Sequence, residues 1–572
     1  MLKNLLQYLL FSILSFLVLL IAVIVIAAVT MGPDVKENSV LVLDLTGPVL
    51  EEGPQGVFEK IMLGDVLTTR EIITSLEKAK KDSRIKGLLV TAMSTEAGLA
   101  KTQEIRSAIK RFAKSKPAFG FIEEGDATEY YLCSAAPHLY LAPAGEGGIN
   151  LTGLRAEIPF FKGTLDKLGI IAQMDHIGEY KSASDIWTRD SMSEAHREVT
   201  ESILNSLYER LTGDIAQDRK LSAEQVKQII NEGPPIRSEA KQKGLVDELL
   251  YRDQVEEKIK KELKLTKFES VSIREYKEPT FSETYRGATS KIGIIYAVGA
   301  ITSGESSKGY SEDTLGSSTI TKAIRQARED KTVKAIILRV DSPGGSAVAS
   351  DLIWREVVIT KTKKPVVVSM ANVAASGGYY VSMGASKILA DPSTITGSIG
   401  VVFGKFYVKG LYDKIGMKKE IVKKGEHADI YSDYVPFEED EWNIIHRHMA
   451  AIYDVFTKKA AEGRKKTQAE IDAIGKGRVW SGDQALKLGL IDQVGGLHDA
   501  IWEARKLAKI PDKDELGIAV YPVRKGGWSD ILATGTHASI SLPDEINRML
   551  TLAKITDREN LLYFMPYDFT MR

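Results

Sequence analysis

Five segments recur in the same order along the 572-residue chain at an almost constant spacing. Ser39-Val-Leu-Val-Leu-Asp44 is answered by Lys291-Ile-Gly-Ile-Ile-Tyr296, both short apolar runs. Lys81-Asp-Ser-Arg-Ile-Lys-Gly-Leu-Leu-Val90 lines up with Glu329-Asp-Lys-Thr-Val-Lys-Ala-Ile-Ile-Leu338 about 248 residues later, and Lys116-Pro117 with Lys364-Pro365 at that same distance. Asp166-Lys-Leu-Gly-Ile170 then matches Asp413-Lys-Ile-Gly-Met417, and Ala240-Lys-Gln-Lys-Gly-Leu-Val-Asp247 matches Ala485-Leu-Lys-Leu-Gly-Leu-Ile-Asp492. A long-period match of this kind means one structural unit built twice. Within each unit, β-branched runs such as Ala335–Val340 and Pro365–Met370 alternate with helical stretches such as Ser318–Glu329 and Ser346–Thr362. Continuous apolar strands separated by helices predict an α/β fold with mainly parallel, fully buried strands. Glu194–Ile215 and Glu439–Glu462 are long, charged and amphipathic, as expected of an arm or layer beyond the sheet. The first unit is placed at 39–275 and the second at 290–508, with a linker near Ile273–Ser290. The extension 509–572 falls outside the duplication and receives no role.

The 76 Lys+Arg against 77 Asp+Glu leave a net charge of −1, which supplies no electrostatic case for nucleic-acid binding. With 44% hydrophobic and 27% charged residues the chain is of ordinary globular composition. Its single cysteine, Cys133, excludes an internal disulfide and any multi-cysteine metal site. After a short N-terminus (1–7), residues 8–29 read YLLFSILSFLVLLIAVIVIAAV without a charge. At about 1.5 Å per residue that run matches a hydrocarbon core of about 30 Å, which predicts a transmembrane anchor, although Val25-Ile26-Ala27-Ala28 leaves cleavage open. Lys3 precedes it and Asp34 and Glu37 follow, so the expected orientation leaves the N-terminus in the cytosol and the rest outside.

The units differ where chemistry is expected. The second carries two glycine-rich turns after strands, Asp341-Ser-Pro-Gly-Gly-Ser346 and Ala374-Ala-Ser-Gly-Gly-Tyr-Tyr380. In the first unit the same places read Met93-Ser-Thr-Glu-Ala-Gly98 and Gly125-Asp-Ala-Thr-Glu-Tyr-Tyr131. A glycine pair lets backbone N–H groups turn toward an incoming carbonyl, as an oxyanion hole requires, although glycine is also the ordinary residue of a tight turn. Ser376, ahead of Gly377 and Gly378, is the candidate nucleophile. None of the eight histidines stands in a triad context, and His446 and His448, two apart on a helix, point to different faces. A lysine offers the alternative base. Gly178-Glu-Tyr-Lys-Ser182 faces Gly425-Glu-His-Ala-Asp429, so Lys181 stands where the serine-bearing unit has Ala428. Free lysine is neutral in less than about one part in a thousand at pH 7, and making it a base takes roughly 4 kcal/mol of desolvation or like-charge repulsion. Burial between two domains supplies an effect of that size, whereas a single lysine in a charged chain is ordinarily a solvated surface group.

With these motifs on the page, together with Asp391-Pro-Ser-Thr-Ile-Thr-Gly-Ser-Ile-Gly400, the chain resembles the long, duplicated form of the bacterial signal peptide peptidase A family, serine proteases with a Ser/Lys dyad. The resemblance runs to about residue 508. It implies a ClpP/crotonase-like fold in both units and an N-terminal membrane anchor. It further implies a homotetramer and residence in the inner membrane with the catalytic part on the periplasmic side. By the same resemblance Ser376 is the nucleophile and Lys181 the general base. Ser398 holds the lysine, and Gly377 with the Gly344-Gly345 pair supplies oxyanion donors. Remnant signal peptides and other hydrophobic peptides are the implied substrates, cut through an acyl-enzyme, with no cofactor or metal. An acyl-CoA enzyme of the crotonase type and a catalytically silent scaffold are the competing readings. The spacing Ser75-Leu-Glu-Lys78, which echoes penicillin-binding chemistry, lies in a charged helical stretch and is read as coincidence.

Overall fold

The computed structural model describes residues 35–53, 64, 66–145, 147–277, 290–307 and 313–522, and the backbone of Leu562–Phe564 and Thr570–Met571. Each unit is built on a mainly parallel sheet, and the strands of the first are matched in order by strands of the second. In the first, the order is Glu269–Ser272, Ser39–Pro48, Ile85–Glu96, Ala118–Ile122, His138–Leu141 and Glu248–Leu249. In the second, Leu516–Tyr521, Ser290–Val298, Val333–Ser342, Val366–Ala375, Lys387–Ala390 and Gln493–Val494 follow in that order, with Ile395–Gly397 and Val479–Ser481 continuing from the far end of Val366–Ala375. Leu516–Tyr521 lies beyond residue 508, so the second sheet takes its edge strand from the segment to which the sequence assigned no role. It holds the place that Glu269–Ser272 holds in the first sheet.

Strands such as Ile336–Leu338 and Val366–Val368 are buried on both faces, which is why they read as unbroken apolar runs. The layers stack in turn. Helix Arg252–Glu262 covers the outer face of the first sheet through Val255 and Ile259. Helices Thr69–Lys81 and Leu99–Ala113 fill the space between the sheets, sharing one apolar core with Ile292, Ile294, Ile337 and Val367 of the second. Helix Leu497–Leu507 joins them on that face, and Ser317–Glu329 with Ala347–Lys361 close the far side. Between the units lies a buried ionic cluster. Arg339, fully buried, places Nε 2.7 Å from Glu51 Oε2 and Nη2 2.6 Å from Glu104 Oε1, and donates to Ser369 Oγ at 2.8 Å. Burial and the neighbouring Glu104 push the Asp391 carboxyl beside it well above the usual range.

The two units also exchange arms. Ile171–Ile177 of the first pairs antiparallel with Val401–Tyr407 of the second, from Val401 opposite Ile177 to Tyr407 opposite Ile171. These strands close a mixed sheet ordered Thr314–Gly316, Ala300–Thr302, Gly344–Ser346, Leu562–Phe564, Val401–Tyr407 and Ile171–Ile177.

The expected membrane helix is corrected here. Residues 8–29 lie outside the described residues, and among the described residues no helix is long and apolar enough to cross a membrane. Glu194–Arg219 and Glu439–Arg464 have the length, 26 residues each, but charges recur throughout them. The fold is therefore stated as a duplicated α/β fold alone. The membrane-anchored form of the activity, the lipid bilayer as a partner and the single-pass inner-membrane location are withdrawn with the helix.

Candidate active site

The arm exchange determines which side chains meet. Lys181 follows Ile177 by four residues and Ser398 precedes Val401 by three, so the register that pairs Val401 with Ile177 brings both to the same end of the ribbon. Ser376 arrives from the second sheet at the end of Val366–Ala375, immediately before helix Gly377–Ser382. Lys181 Nζ lies 2.7 Å from Ser376 Oγ, 2.9 Å from Ser398 Oγ and 3.1 Å from the Ser398 carbonyl oxygen. All three residues are withdrawn from water, with exposures of 1% for Lys181, 0% for Ser376 and 2% for Ser398.

Burial alone drives the Lys181 ammonium well below the usual lysine range, because no carboxylate among the described residues offsets the loss of water. This is the desolvation that a lysine base requires. A neutral amine and a serine hydroxyl in hydrogen-bond contact can act as proton acceptor and nucleophile.

Ser376 stands at φ 55°, ψ −111°, a conformation that non-glycine residues rarely adopt and that costs on the order of 1–3 kcal/mol. The surrounding hydrogen bonds hold it there. Ser376 N–H donates to Gly397 O at 2.8 Å and Tyr380 N–H donates to Ser376 O at 2.8 Å. Ser398 is likewise at φ 54°, its N–H given to Arg478 O at 2.8 Å.

Beside the serine, the backbone of the first glycine turn comes close. A Cβ on Gly377 would sit 3.0 Å from Gly344 Cα and 3.1 Å from Gly345 N, so the three glycines form one backbone cluster. At Gly345, φ +150°, a side chain would strike Ile301 O at 2.1 Å, which ties the strand Gly344–Ser346 to Ala300–Thr302 at a spacing only glycine permits. Gly344 N–H already donates to Ser342 Oγ at 3.2 Å.

Two residues with no signal in the sequence clamp the lysine. Tyr180 N–H donates to Lys476 O at 2.9 Å, and Gly477 N–H to Ile399 O at 2.7 Å. Gly477, at φ +80°, packs so closely that a Cβ there would lie 2.4 Å from Lys181 Cβ. The loop 476–478 thus grips the segments of both Lys181 and Ser398.

The remaining candidates stand apart from this cluster. Cys133 is buried in the first unit and its thiol is pushed up by burial, which suits packing and not nucleophilic attack. His446 Nε2 is 2.7 Å from Asp175 Oδ2, and His176 Nδ1 is 3.2 Å from Ser184 Oγ. Ser75 is buried in helix Thr69–Lys81 of the first unit.

Peptidase family S49 matches residues 110–266 and again 359–511, one stretch in each unit. The chain belongs to Peptidase family S49. It is 34% identical over 91% of its length to the serine protease SPPA, chloroplastic, of Arabidopsis thaliana, covering 77% of that protein. It is also 34% identical to protease 4 of Salmonella typhi, over 77% of this chain and 72% of the relative. To a putative signal peptide peptidase SppA of Enterococcus faecium it is 34% identical, over 42% of this chain and 69% of that one. The S49 chain is accordingly a serine-type endopeptidase of the signal-peptide-peptidase-like, Ser/Lys-dyad family, and the two stretches matched are the two halves of a duplicated peptidase domain.

Proposed function

We propose that Ser376 is the nucleophile of this peptidase and Lys181 its general base, with unstructured hydrophobic peptides as substrates. The observation that carries the reading is a fully buried lysine 2.7 Å from a serine hydroxyl on a strained turn. Neutral Lys181 Nζ takes the Ser376 Oγ proton as the oxygen attacks the scissile carbonyl carbon. Gly377 N–H and the Gly344-Gly345 backbone receive the oxyanion. Because Gly344 N–H is engaged by Ser342 Oγ, Gly345 is the partner of Gly377 in this reading. Protonated Lys181 then gives its proton to the leaving amine, and once neutral again it deprotonates the water that releases the acyl group. Ser398, bonding Nζ through both its hydroxyl and its carbonyl oxygen, fixes the amine on its line toward Ser376. The name of the Enterococcus relative suggests signal peptides among the substrates.

The test is a fluorophosphonate label mapped by mass spectrometry, with turnover of an unstructured hydrophobic peptide measured alongside. Label on Ser376 is expected. Ser376→Ala should lower kcat by at least about 10³-fold, the scale seen when a nucleophile is removed. Turnover retained in that variant would refute the assignment and favour acyl transfer without a serine.

A further inference from the structure

The strand that delivers Ser376 is held from outside its own unit. In the second sheet the ladder slips just before the serine, from Val340 opposite Met370 to Ser342 opposite Ala374. Ser342 leads into the glycine strand Gly344–Ser346, and Ala374 stands two residues before Ser376. Asp341 and Asn372 both lie in the slipped stretch. Asp341 Oδ1 accepts Val373 N–H at 3.0 Å, and the Asp341 carbonyl oxygen accepts Gly299 N–H at 2.9 Å. Asn372 turns to the first unit instead. Its Oδ1 accepts Lys101 N–H at 3.1 Å, and its Nδ2 donates to Ala97 O at 2.9 Å. Lys101 is the third residue of helix Leu99–Ala113, whose N-cap, Gly98, has no side chain to offer. Across the unit boundary, Asn372 therefore supplies the acceptor that a capping side chain normally gives. The approach is close, since a Cβ on Gly98 would lie 2.3 Å from Asn372 Nδ2. The same lysine reaches Asp341 as well. Its Nζ lies 3.5 Å from Asp341 Oδ2 and donates to Val49 O at 3.3 Å, and the Lys101 and Asp341 side chains are only 12% and 15% exposed.

A register slip beside an active site re-aims the residues that follow it. Here the slip is fixed by contacts with the other unit. We propose that Lys101 and Asn372 are positioning residues of the peptidase reaction, holding the strand that carries Ser376 in place against the turn that carries Gly344 and Gly345. The proposal rests on Ser376 being the nucleophile and on those glycines receiving the oxyanion. Asn372 sets the strand through its two bonds to the helix end. Lys101 sets the turn by favouring the ionised form of Asp341. Burial pushes the Asp341 carboxyl above the usual range, and Lys101 opposes that shift. The carboxylate is a stronger acceptor than the neutral acid for Val373 N–H, the bond that ties turn to strand. Neither Lys101 nor Asn372 touches the substrate in this scheme. Each acts through the placement of Ser376 Oγ relative to the oxyanion donors.

The experiment measures kcat, KM, the rate of fluorophosphonate labelling and the melting temperature in the full chain and its variants. Asn372→Ala should lower kcat about 10²-fold, the factor that displacements near 1 Å cost, with KM within about twofold of the unaltered chain. Lys101→Met should lower kcat about tenfold, and Lys101→Arg, which keeps the charge, should restore most of it. Adding Asp341→Asn to Lys101→Met removes the charge left without a partner and keeps an acceptor for Val373 N–H, so it should also recover most of the loss. Ser222→Ala is the control. It removes a cap within the first unit, where Ser222 Oγ accepts Gln225 N–H at 3.1 Å at the start of helix Ala223–Glu232, and should lower the melting temperature with kcat unchanged. Asn372→Ala behaving as this control does, less stable with kcat intact, overturns the proposal, because the contact would then serve stability alone. A loss in Lys101→Met that arginine does not restore, or one that appears in KM, overturns it as well. Where Asn372→Ala yields no folded protein, the lysine series decides. Label on Ser376 at one rate in every variant overturns the positioning role and leaves the nucleophile standing. Absence of label on Ser376 in the unaltered chain overturns the catalytic reading and the positioning role with it.

Discussion

At corresponding places after corresponding strands, the first unit enters helix Ala127–Cys133 through Asp126 and the second enters Gly377–Ser382 through Ser376. Asp126 sits at φ −94°, accepts from Thr128 N–H and is joined by Glu129, whose carboxylate reaches back to the Asp126 N–H. This is a capping box, in which the side chains are used up satisfying the helix end. Ser376 makes no such cap, and at φ 55° its hydroxyl is directed to Lys181 instead. The partner loops differ in the opposite sense. The segment with Lys181 is buried, whereas Ala428 in the equivalent segment of the second unit is exposed. One unit has thus kept helix-end stability, through Asp126 one place before the Ala127 that stands opposite Ser376, and the buried amine. The other has given up the cap and kept the hydroxyl. A dyad built this way requires both units, because each retains only the half that the other has replaced.

The sharpest break of this comparison is at the amine. Lys181→Arg keeps the positive charge and the donors but cannot lose its proton. It should be as inactive as Lys181→Ala, with kcat lower by at least about 10³-fold and the serine label lost. Activity retained by arginine would mean that the lysine serves as a charge, and the complementarity of the units would not be an acid–base one.

A loss of about 10²-fold is expected from Gly477→Ala. The new methyl would sit 2.4 Å from Lys181 Cβ at a backbone angle that disfavours side chains, so the lysine must shift, and displacements near 1 Å cost about that factor. The change should appear in kcat with the melting transition little altered, which a crystal structure of the variant would complement by showing a displaced Nζ. Unchanged kcat would release the loop 476–478 from any part in positioning the base.

This residue also marks where sequence reading stops. The repeat was legible because helices such as Thr69–Lys81 and Ser317–Glu329, or Glu194–Arg219 and Glu439–Arg464, keep their lengths and their spacing in both units. Ser376 and Lys181, which the structure brings into contact, stood out because each is a position where the units disagree. Gly477 is one glycine in the charged run Lys476-Gly-Arg478, and it gains meaning only when the arm exchange sets it on Lys181. Arg339 is equally opaque, since the charged fraction of the chain does not reveal which arginine will be buried with Glu51 and Glu104. Leu562–Phe564 is too short for a period, and its pairing partner lies more than two hundred residues away. Long-range contacts of this kind depend on how the units meet, and no local pattern records that.

On the pH axis the comparison predicts an acid limb. As the proposed base, Lys181 must be neutral to accept the serine proton, and its burial lowers the pH at which it becomes so. The sign follows directly: kcat/KM falls about tenfold per pH unit below the lysine's apparent pKa and levels off above it. That pKa should lie well under the ordinary lysine value of about 10.4. A profile still rising at pH 10 would show a solvated amine and contradict the buried contact.

The smallest effect tests the silent half of the comparison. Asp126 holds the helix end through Thr128 N–H, and replacing such a cap by alanine typically costs about 1 kcal/mol. Asp126→Ala should therefore lower the stability of the chain to denaturant by about that amount while leaving kcat and the pH profile where they were. Asp126→Ser goes further into the comparison, since it puts a hydroxyl at the cap of the first unit with no amine opposite it. Serine caps well, so stability should hardly change, and mass spectrometry should find the fluorophosphonate label on Ser376 alone. Label at residue 126 would mean that the turn itself activates a serine, and that the buried lysine adds only position to a reactivity the backbone already confers.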